Sequence, residues 1–389
     1  MSAAHYFSLN LSGYPSRNRE TSEVKVKIKA AVIREKGGSF SVEELDLEPP
    51  RANEVLVRIA GVGICHTDLV CRDQYFPVPL PCVFGHEGAG VVEKVGEHVT
   101  KVAPGDHVVM TFNNCAVCSP CRQGQPGYCH DLYGQNFLGT RGDGTSAWSK
   151  AAEKIHGHFF HQSSFGTYAV ANERNTVKVD KSLPLHLLGP LACGVQTGAG
   201  AVMNALQPKA GSSIAIFGCG TVGLSAVMAA KAVGCTTIIA VDPVAKRLTL
   251  ARELGATHVI DPTSESPVER VREICPPGVL YSVECSGVPK VIRQAVDCLA
   301  LTGVAGIMGV TPLGTEVSLD VNGLLFGRTV RGIIEGDSVP DTFIPAMIAL
   351  HQQGKLPFDK LIQTFPFDEI NQAVAACERG DVVKAVLTF

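Results

Sequence analysis

The sequence predicts an α/β protein in which a doubly wound parallel sheet is joined to an irregular, mainly-β domain. Three observations carry that prediction. Strand-like and helix-like segments alternate after about residue 195, short strands separated by Gly/Pro-rich turns fill the part before it, and the glycine run Phe217-Gly-Cys-Gly-Thr-Val-Gly223 follows the first strand of the alternating half. Such alternation implies a parallel sheet covered on both faces, with its ligand at the carboxyl ends of the strands. At 389 residues the chain is too long for one ordinary core, so two domains are expected.

Taken in order, residues 1–24 read as an N-terminal extension. They are polar, carry Arg17 and Arg19, and lack the apolar stretch of a secretory signal. The mainly-β domain is expected over 25–195, with strand-like runs at 24–33, 55–63, 88–95, 106–110 and 165–170. Residues 134–154, with Arg141-Gly-Asp-Gly144, read as a surface loop. The alternating domain is expected over 196–336. Its strand 213–217 leads to a helix 222–233 closed by Gly234, and its strand 237–241 leads to a helix 244–254 closed by Gly255; strands at 258–260, 279–283 and 303–308 continue the series. The tail, 337–389, ends in an apolar run at 383–389 and is expected to fold back onto the first domain.

Composition limits the functions open to this chain. Hydrophobic residues make up 45%, charged residues 18%, and there are 40 glycines, as in a soluble globular protein rich in turns. A net charge of -3 supplies no positive field for a nucleic-acid backbone. The uncharged run from Ala210 to Ala230 is long enough to span a bilayer, but Gly211, Gly218, Gly220 and Gly223 break it into strand, turn and helix, so no membrane span is expected. With no secretory signal, the 14 cysteines read as thiols and metal ligands of a cytoplasmic protein.

Gly218 permits a tight turn, Gly220 lets backbone approach a pyrophosphate, and Gly223 lets helix and strand pack closely. Asp242 closes the next strand 24 residues after Gly218, where a carboxylate accepts hydrogen bonds from ribose hydroxyls and repels a 2′-phosphate. NAD is therefore expected over NADP. Arg247 either helps hold the ribose or relieves that repulsion.

Two sets of metal ligands follow. Cys115, Cys118, Cys121 and Cys129 lie within 15 residues, and Pro120, Gly124, Pro126 and Gly127 between them exclude helices, leaving a lobe (112–132) free to wrap an ion. Four thiolates leave no open position, which reads as a structural zinc; an iron–sulfur cluster takes the same ligands, and spacing does not separate the two. Cys65 ends the apolar run 55–63, His86 sits in Gly85-His-Glu-Gly88, and Cys193 lies where the chain enters the second domain. Together they offer three ligands and one vacant position, suiting a Lewis acid beside a nicotinamide.

At these residues the chain resembles the zinc-dependent medium-chain alcohol dehydrogenase family, from about residue 25 to 389. The resemblance rests on Gly63-Ile-Cys-His-Thr-Asp68, Gly85-His-Glu-Gly-Ala-Gly90, the four-cysteine lobe, Leu191-Ala-Cys-Gly194 and the glycine run 217–223. Through Phe160-His-Gln-Ser-Ser-Phe165 and Pro190-Leu-Ala-Cys-Gly-Val-Gln-Thr-Gly198 it looks most like the aryl-alcohol (benzyl alcohol) dehydrogenase branch.

The resemblance implies a Rossmann domain, a GroES-like catalytic domain, NAD, two zincs per chain, an alcohol or aldehyde substrate, and a homodimer or homotetramer. It implies that Cys65, His86 and Cys193 hold the catalytic zinc, that Glu87 is a transient ligand, and that Asp68 orients the zinc-binding His86. Thr67 would take the alcohol proton, Thr197, Val222 and Gly309 would surround the nicotinamide, and Lys384 would contact the pyrophosphate. His66 stands where many members have a pyrophosphate-binding Arg, and Val70 where many have the His that ends the proton relay. Phe112, with Phe160 and Phe165, is expected to line an apolar pocket for an aromatic or long primary alcohol. A glutathione-linked formaldehyde dehydrogenase, which needs a cationic patch, and a catalytically silent protein of the same fold are the alternatives.

Overall fold

The structure is a computed structural model and describes residues 25–389, so the expected N-terminal extension lies outside the described residues. Its second half is organised by six parallel strands in the order His258–Ile260, Thr237–Val241, Ser213–Phe217, Val279–Glu284, Leu299–Ile307, Thr329–Gly332. Ser-Ile-Ala-Ile-Phe at 213–217 is buried throughout, as a strand covered on both faces must be. The chain order reverses between Ser213–Phe217 and Val279–Glu284, and that switch point opens a crevice at the strands' carboxyl ends. The helices after the first two strands run Thr221–Ala232 and Ala245–Leu254, each displaced by one residue from the expected start.

The first half is built on a seven-stranded sheet and a five-stranded sheet. In the former, Glu54–Gly63 is central, pairing antiparallel with Glu87–Val95, Tyr168–Asn172 and the C-terminal strand Lys384–Thr388. The C-terminal strand sets Val386 opposite Gly63, and Ile64 N–H donates to Ala385 at 2.9 Å. That register brings the last strand beside the turn carrying Cys65.

Two local readings need correction. Residues 134–154 are not simply a surface loop: Trp148 is fully buried in a short strand, Trp148–Lys150, and Arg141 is 5% exposed. Arg141 donates to Glu54 at 2.7 and 2.9 Å and to Glu48 at 2.7 Å, so the Arg-Gly-Asp-Gly turn faces inward through its arginine. In the four-cysteine lobe, short helical turns do form, at Ser119–Arg122 and Pro126–Tyr128. Each begins with proline in its first two positions, where the missing N–H costs nothing. No helix among the described residues is long and apolar enough to cross a membrane.

Candidate active site

The turn after Glu54–Gly63 opens a helix, His66–Arg72, with Cys65 at its N-cap. One side chain ties this turn to the next strand. Asp68 is fully buried; its Oδ2 accepts from Cys65 N–H at 2.9 Å, while Oδ1 accepts from Gly85 N–H at 3.1 Å and lies 2.8 Å from His86 Nδ1. His86 is therefore held with Nδ1 toward the carboxylate and Nε2 free. Buried Nε2 has no hydrogen-bond partner among the described residues, an arrangement that suits metal ligation. Ligand atoms of Cys65, His86, Glu87 and Cys193 all lie within 4.8 Å of one another. Cys193 arrives from the N-cap of the helix Gly194–Gly200.

The charges here are strongly coupled. A hydrogen bond from Cys193, aided by His86 and Lys384, holds the Cys65 thiol well below its ordinary range, and the same bond pushes Cys193 well above it. Burial disfavours the His86 cation, but Asp68 and Cys65 outweigh it and raise its pKa. Burial lifts Glu87 to about 7 against the pull of Lys384. Two soft donors, an imidazole with a free lone pair and an adjacent carboxylate fit a zinc ion that keeps one position open. The neighbouring ring is Phe160, stacked on His86 at 4.4 Å between centroids and 24° between planes.

The crevice at the switch point has a volume of about 780 Å³, and its walls include Cys65, His66, Val70, Gly218, Gly220, Val222, Gly223, Asp242, Arg247 and Lys384. Gly218 has φ +91°, and a Cβ on Gly223 would lie 1.8 Å from Gly218 O, so both positions require glycine. A Cβ on Gly220 would meet nothing within 4 Å, leaving bare backbone toward the cavity. Asp242 is 3% exposed; it accepts from Cys219 N–H at 2.7 Å and Val244 N–H at 2.8 Å, with Arg247 at 3.9 Å. These features fit a dinucleotide whose pyrophosphate lies on the helix N-terminus. Gly309 is held against Gly287, the nearest atom to a built Cβ being Gly287 N at 2.0 Å.

In the lobe, Cys118 and Cys121 sulfurs are 3.4 Å apart, and Cys115–Cys121 and Cys118–Cys129 are each 4.0 Å apart. A tetrahedral ion with metal–sulfur bonds of ~2.3 Å has edges of ~3.8 Å, so the four sulfurs fit around one ion rather than around a cluster of several metal atoms. Backbone N–H groups of Cys121 and His130 lower the Cys118 thiol to about 6.

Several predicted residues have other partners than expected. Lys384 lines the crevice but is 2% exposed, with Nζ 2.8 and 2.9 Å from the Glu87 carboxylate and 2.9 Å from Ile64 O. A buried ammonium takes the nearest carboxylate before a distant phosphate. Phe165 is fully buried edge-on to Phe40, and Phe112 is 2% exposed within the same hydrophobic core. Of the three, Phe160 is the one stacked on the candidate ligand His86. His66 is exposed at the crevice mouth, Thr67 Oγ1 lies 3.8 Å from Cys65 Sγ, and Val70 is buried at the crevice wall.

One residue escaped the sequence reading. Glu335, 9% exposed, accepts from Gln196 Nε2 at 3.2 Å and Thr197 Oγ1 at 3.4 Å. Burial raises it to about 7. Its one sequence signal is an acid just beyond the carboxyl end of the last parallel strand, where ligands bind in such sheets.

A three-donor metal cluster at the mouth of a dinucleotide crevice is the arrangement of a metal-assisted dehydrogenase. Comparison with known proteins agrees. Residues 51–181 match the alcohol dehydrogenase GroES-like domain, and residues 221–352 match the zinc-binding dehydrogenase domain. Geraniol dehydrogenase of Castellaniella defragrans is 47% identical over 367 residues, covering 94% of this chain and 98% of that protein. An alcohol dehydrogenase zinc-binding domain protein from Burkholderia ambifaria superposes with a TM-score of 0.92 at 52% identity, covering 94% of this chain and 99% of that one. Benzyl alcohol dehydrogenase from Acinetobacter calcoaceticus does so at 0.91 and 46%, with the same coverage. The chain belongs to the zinc-binding alcohol dehydrogenase family: it is an oxidoreductase of a family that works with zinc and NAD(P).

Proposed function

We propose that this enzyme interconverts an aromatic or long apolar primary alcohol and its aldehyde, with NAD as hydride acceptor. The observation that carries the reading is the Cys65, His86 and Cys193 cluster, with its unpartnered Nε2, opening on the glycine-lined crevice. Zinc at that cluster supplies Lewis acidity toward the alcohol oxygen. The chain's own residues do the rest. Asp68 fixes the His86 tautomer, and Lys384 neutralises Glu87 so that the pocket carries no unpaired carboxylate there. Thr67, beside Cys65, takes the alcohol's proton; Val70 is aliphatic and carries it no further, so the relay ends in water or on another group.

Asp242 favours NAD: its carboxylate repels a 2′-phosphate, and Arg247 is drawn toward Asp242 rather than left free for one. His66, exposed at the crevice, is the weaker and pH-dependent pyrophosphate anchor of this chain. The names of two relatives, geraniol and benzyl alcohol dehydrogenase, both specify apolar primary alcohols, in keeping with Phe160 against His86. Residues 25–195 with 337–389 form the catalytic unit in this reading, and 196–336 the cofactor unit. Among the described residues the last parallel strand, Thr329–Gly332, lies at the sheet edge, flanked by exposed Leu325, Phe326 and Ile334, which supports association of two or four copies; a cytoplasmic location is part of the same proposal.

The test is NADH formation over a panel of alcohols, with metal content measured in parallel. The expected order in kcat/KM is geraniol and benzyl alcohol above ethanol, and NAD above NADP, with two zincs per chain. Ethanol outperforming benzyl alcohol would overturn the substrate class; absence of turnover with every alcohol and both metals bound would overturn the activity.

A further inference from the structure

The turn Glu335–Asp337 follows the last strand of the parallel sheet and is held on both sides. All three residues have positive φ: 51° at Glu335, 65° at Gly336 and 50° at Asp337. Two non-glycine residues in that region persist only where surrounding contacts over-determine them. On the inner side the turn is seated on the helix Gly194–Gly200: a Cβ on Gly336 would lie 2.5 Å from Gln196 O and 2.7 Å from Gly200 Cα. On the outer side Asp337 accepts from Tyr128 Oη and Arg331 Nη2, both at 2.5 Å. Tyr128 immediately precedes Cys129 of the four-cysteine lobe.

The turn thereby delivers Glu335 to the helix that begins at Cys193. Its Oε2 accepts from Gln196 Nε2 at 3.2 Å and Thr197 Oγ1 at 3.4 Å, two residues of the helix that Cys193 caps. Gln196 Nε2 also donates to Ala192 O at 3.1 Å, the carbonyl to which Thr111 donates at 2.7 Å. One carboxylate is thus joined to the Thr197 hydroxyl and, through Gln196, to the backbone carbonyl just before Cys193.

We propose that Glu335 is a positioning residue of the active site: it fixes Cys193 toward the metal and Thr197 toward the nicotinamide, and the Tyr128–Asp337 contact braces it from the four-cysteine lobe. Glu335 need not touch the substrate; its action passes through Gln196 and Thr197 to the helix that begins at Cys193. The inference rests on the reading of Cys65, His86 and Cys193 as ligands, and the experiment separates the two.

The full-length enzyme is loaded with Co(II), and the absorption bands that disappear in Cys193→Ser are assigned to this site. Identical spectra in wild type and Cys193→Ser would overturn the ligand reading itself. With that reading intact, Glu335→Ala is expected to shift those bands and to weaken NADH binding at least threefold by fluorescence titration, while Glu335→Gln, which keeps an acceptor for Gln196 and Thr197, restores both. Bands and NADH affinity unchanged in Glu335→Ala would overturn the proposal. Should that variant fail to fold, Tyr128→Phe serves: it deletes one hydroxyl outside the site, and the proposal requires weaker NADH binding with four-cysteine metal retained. Wild-type NADH affinity in Tyr128→Phe would overturn the bracing role.

Discussion

Asp68→Asn tests how one buried carboxylate organises two metal ligands. Asp68 accepts three hydrogen bonds, from Cys65 N–H, Gly85 N–H and the His86 ring. Asparagine has one acceptor oxygen. If that oxygen stays with Gly85 and His86, its NH₂ faces the Cys65 N–H, donor against donor, in a fully buried place. An unsatisfied buried donor costs about 1–3 kcal/mol. If that oxygen turns to the Cys65 N–H instead, His86 loses the acceptor that orients it, which lowers metal affinity about 10–100-fold. At ~1.4 kcal/mol per tenfold this is ~1.4–2.8 kcal/mol, centred near 30-fold. The assay is competition for the metal by a chromophoric chelator at neutral pH, with circular dichroism to confirm the fold. One metal should be released more readily and the four-cysteine metal unchanged. Equal affinity for both metals in variant and wild type would refute the argument; parallel weakening of both would mean that Asp68 acts on global stability instead.

Three further outcomes follow from named contacts. Thr67→Ala should lower kcat by about 10²–10⁴-fold with both metals retained, and near-wild-type turnover would remove Thr67 from the proton path. Arg141→Met leaves Glu54, itself 6% exposed, without its bidentate partner and should cost about 3–5 kcal/mol in urea unfolding; a change below 1 kcal/mol, roughly a surface ion pair's worth, would show the arginine to be dispensable. Hydrogen bonds from Arg34, with a smaller contribution from Lys150, hold Glu43 at about 2 against an ordinary 4.5. A depressed acid stabilises the fold above its unfolded pKa and loses that contribution as pH falls through the folded one. Because Arg34 is 40% exposed, Glu43→Gln should cost only about 1 kcal/mol at neutral pH, with the difference from wild type shrinking between pH 4.5 and about 2. A difference independent of pH would place the effect in packing.

Much of the architecture was legible because it is written in local chemistry. The strands 213–217, 237–241 and 258–260 are short apolar runs between turn residues, and the structure has strands at those positions. The candidate ligands Cys65 and His86 were legible because each sits in a glycine-marked turn at a strand end, and the four cysteines because their spacing is close enough for one loop to close on an ion; the structure brings each group together. Residues 134–154 were misread for the same reason that the rest was read. Gly and Asp signal a turn, but nothing local says that Arg141 reaches back to Glu54, 87 positions away.

The same logic explains Lys384 and Glu335, whose roles depend on where distant strands end. Lys384 was expected at the pyrophosphate from the family resemblance, yet the antiparallel register of Lys384–Thr388 against Gly61–Gly63 carries its side chain under Ile64, within reach of Glu87. Once the ammonium is buried there, leaving Glu87 would strand two charges in a dry site, so the pair forms. Glu335 is the complementary case. Its neighbours in sequence form an apolar strand end with no ligand motif, and its function arises only when the last parallel strand delivers the turn onto the helix that starts at Cys193. Of the acidic side chains around the metal ligands, Asp68 and Glu87 come from the turns that carry those ligands, whereas Glu335 comes from the cofactor domain.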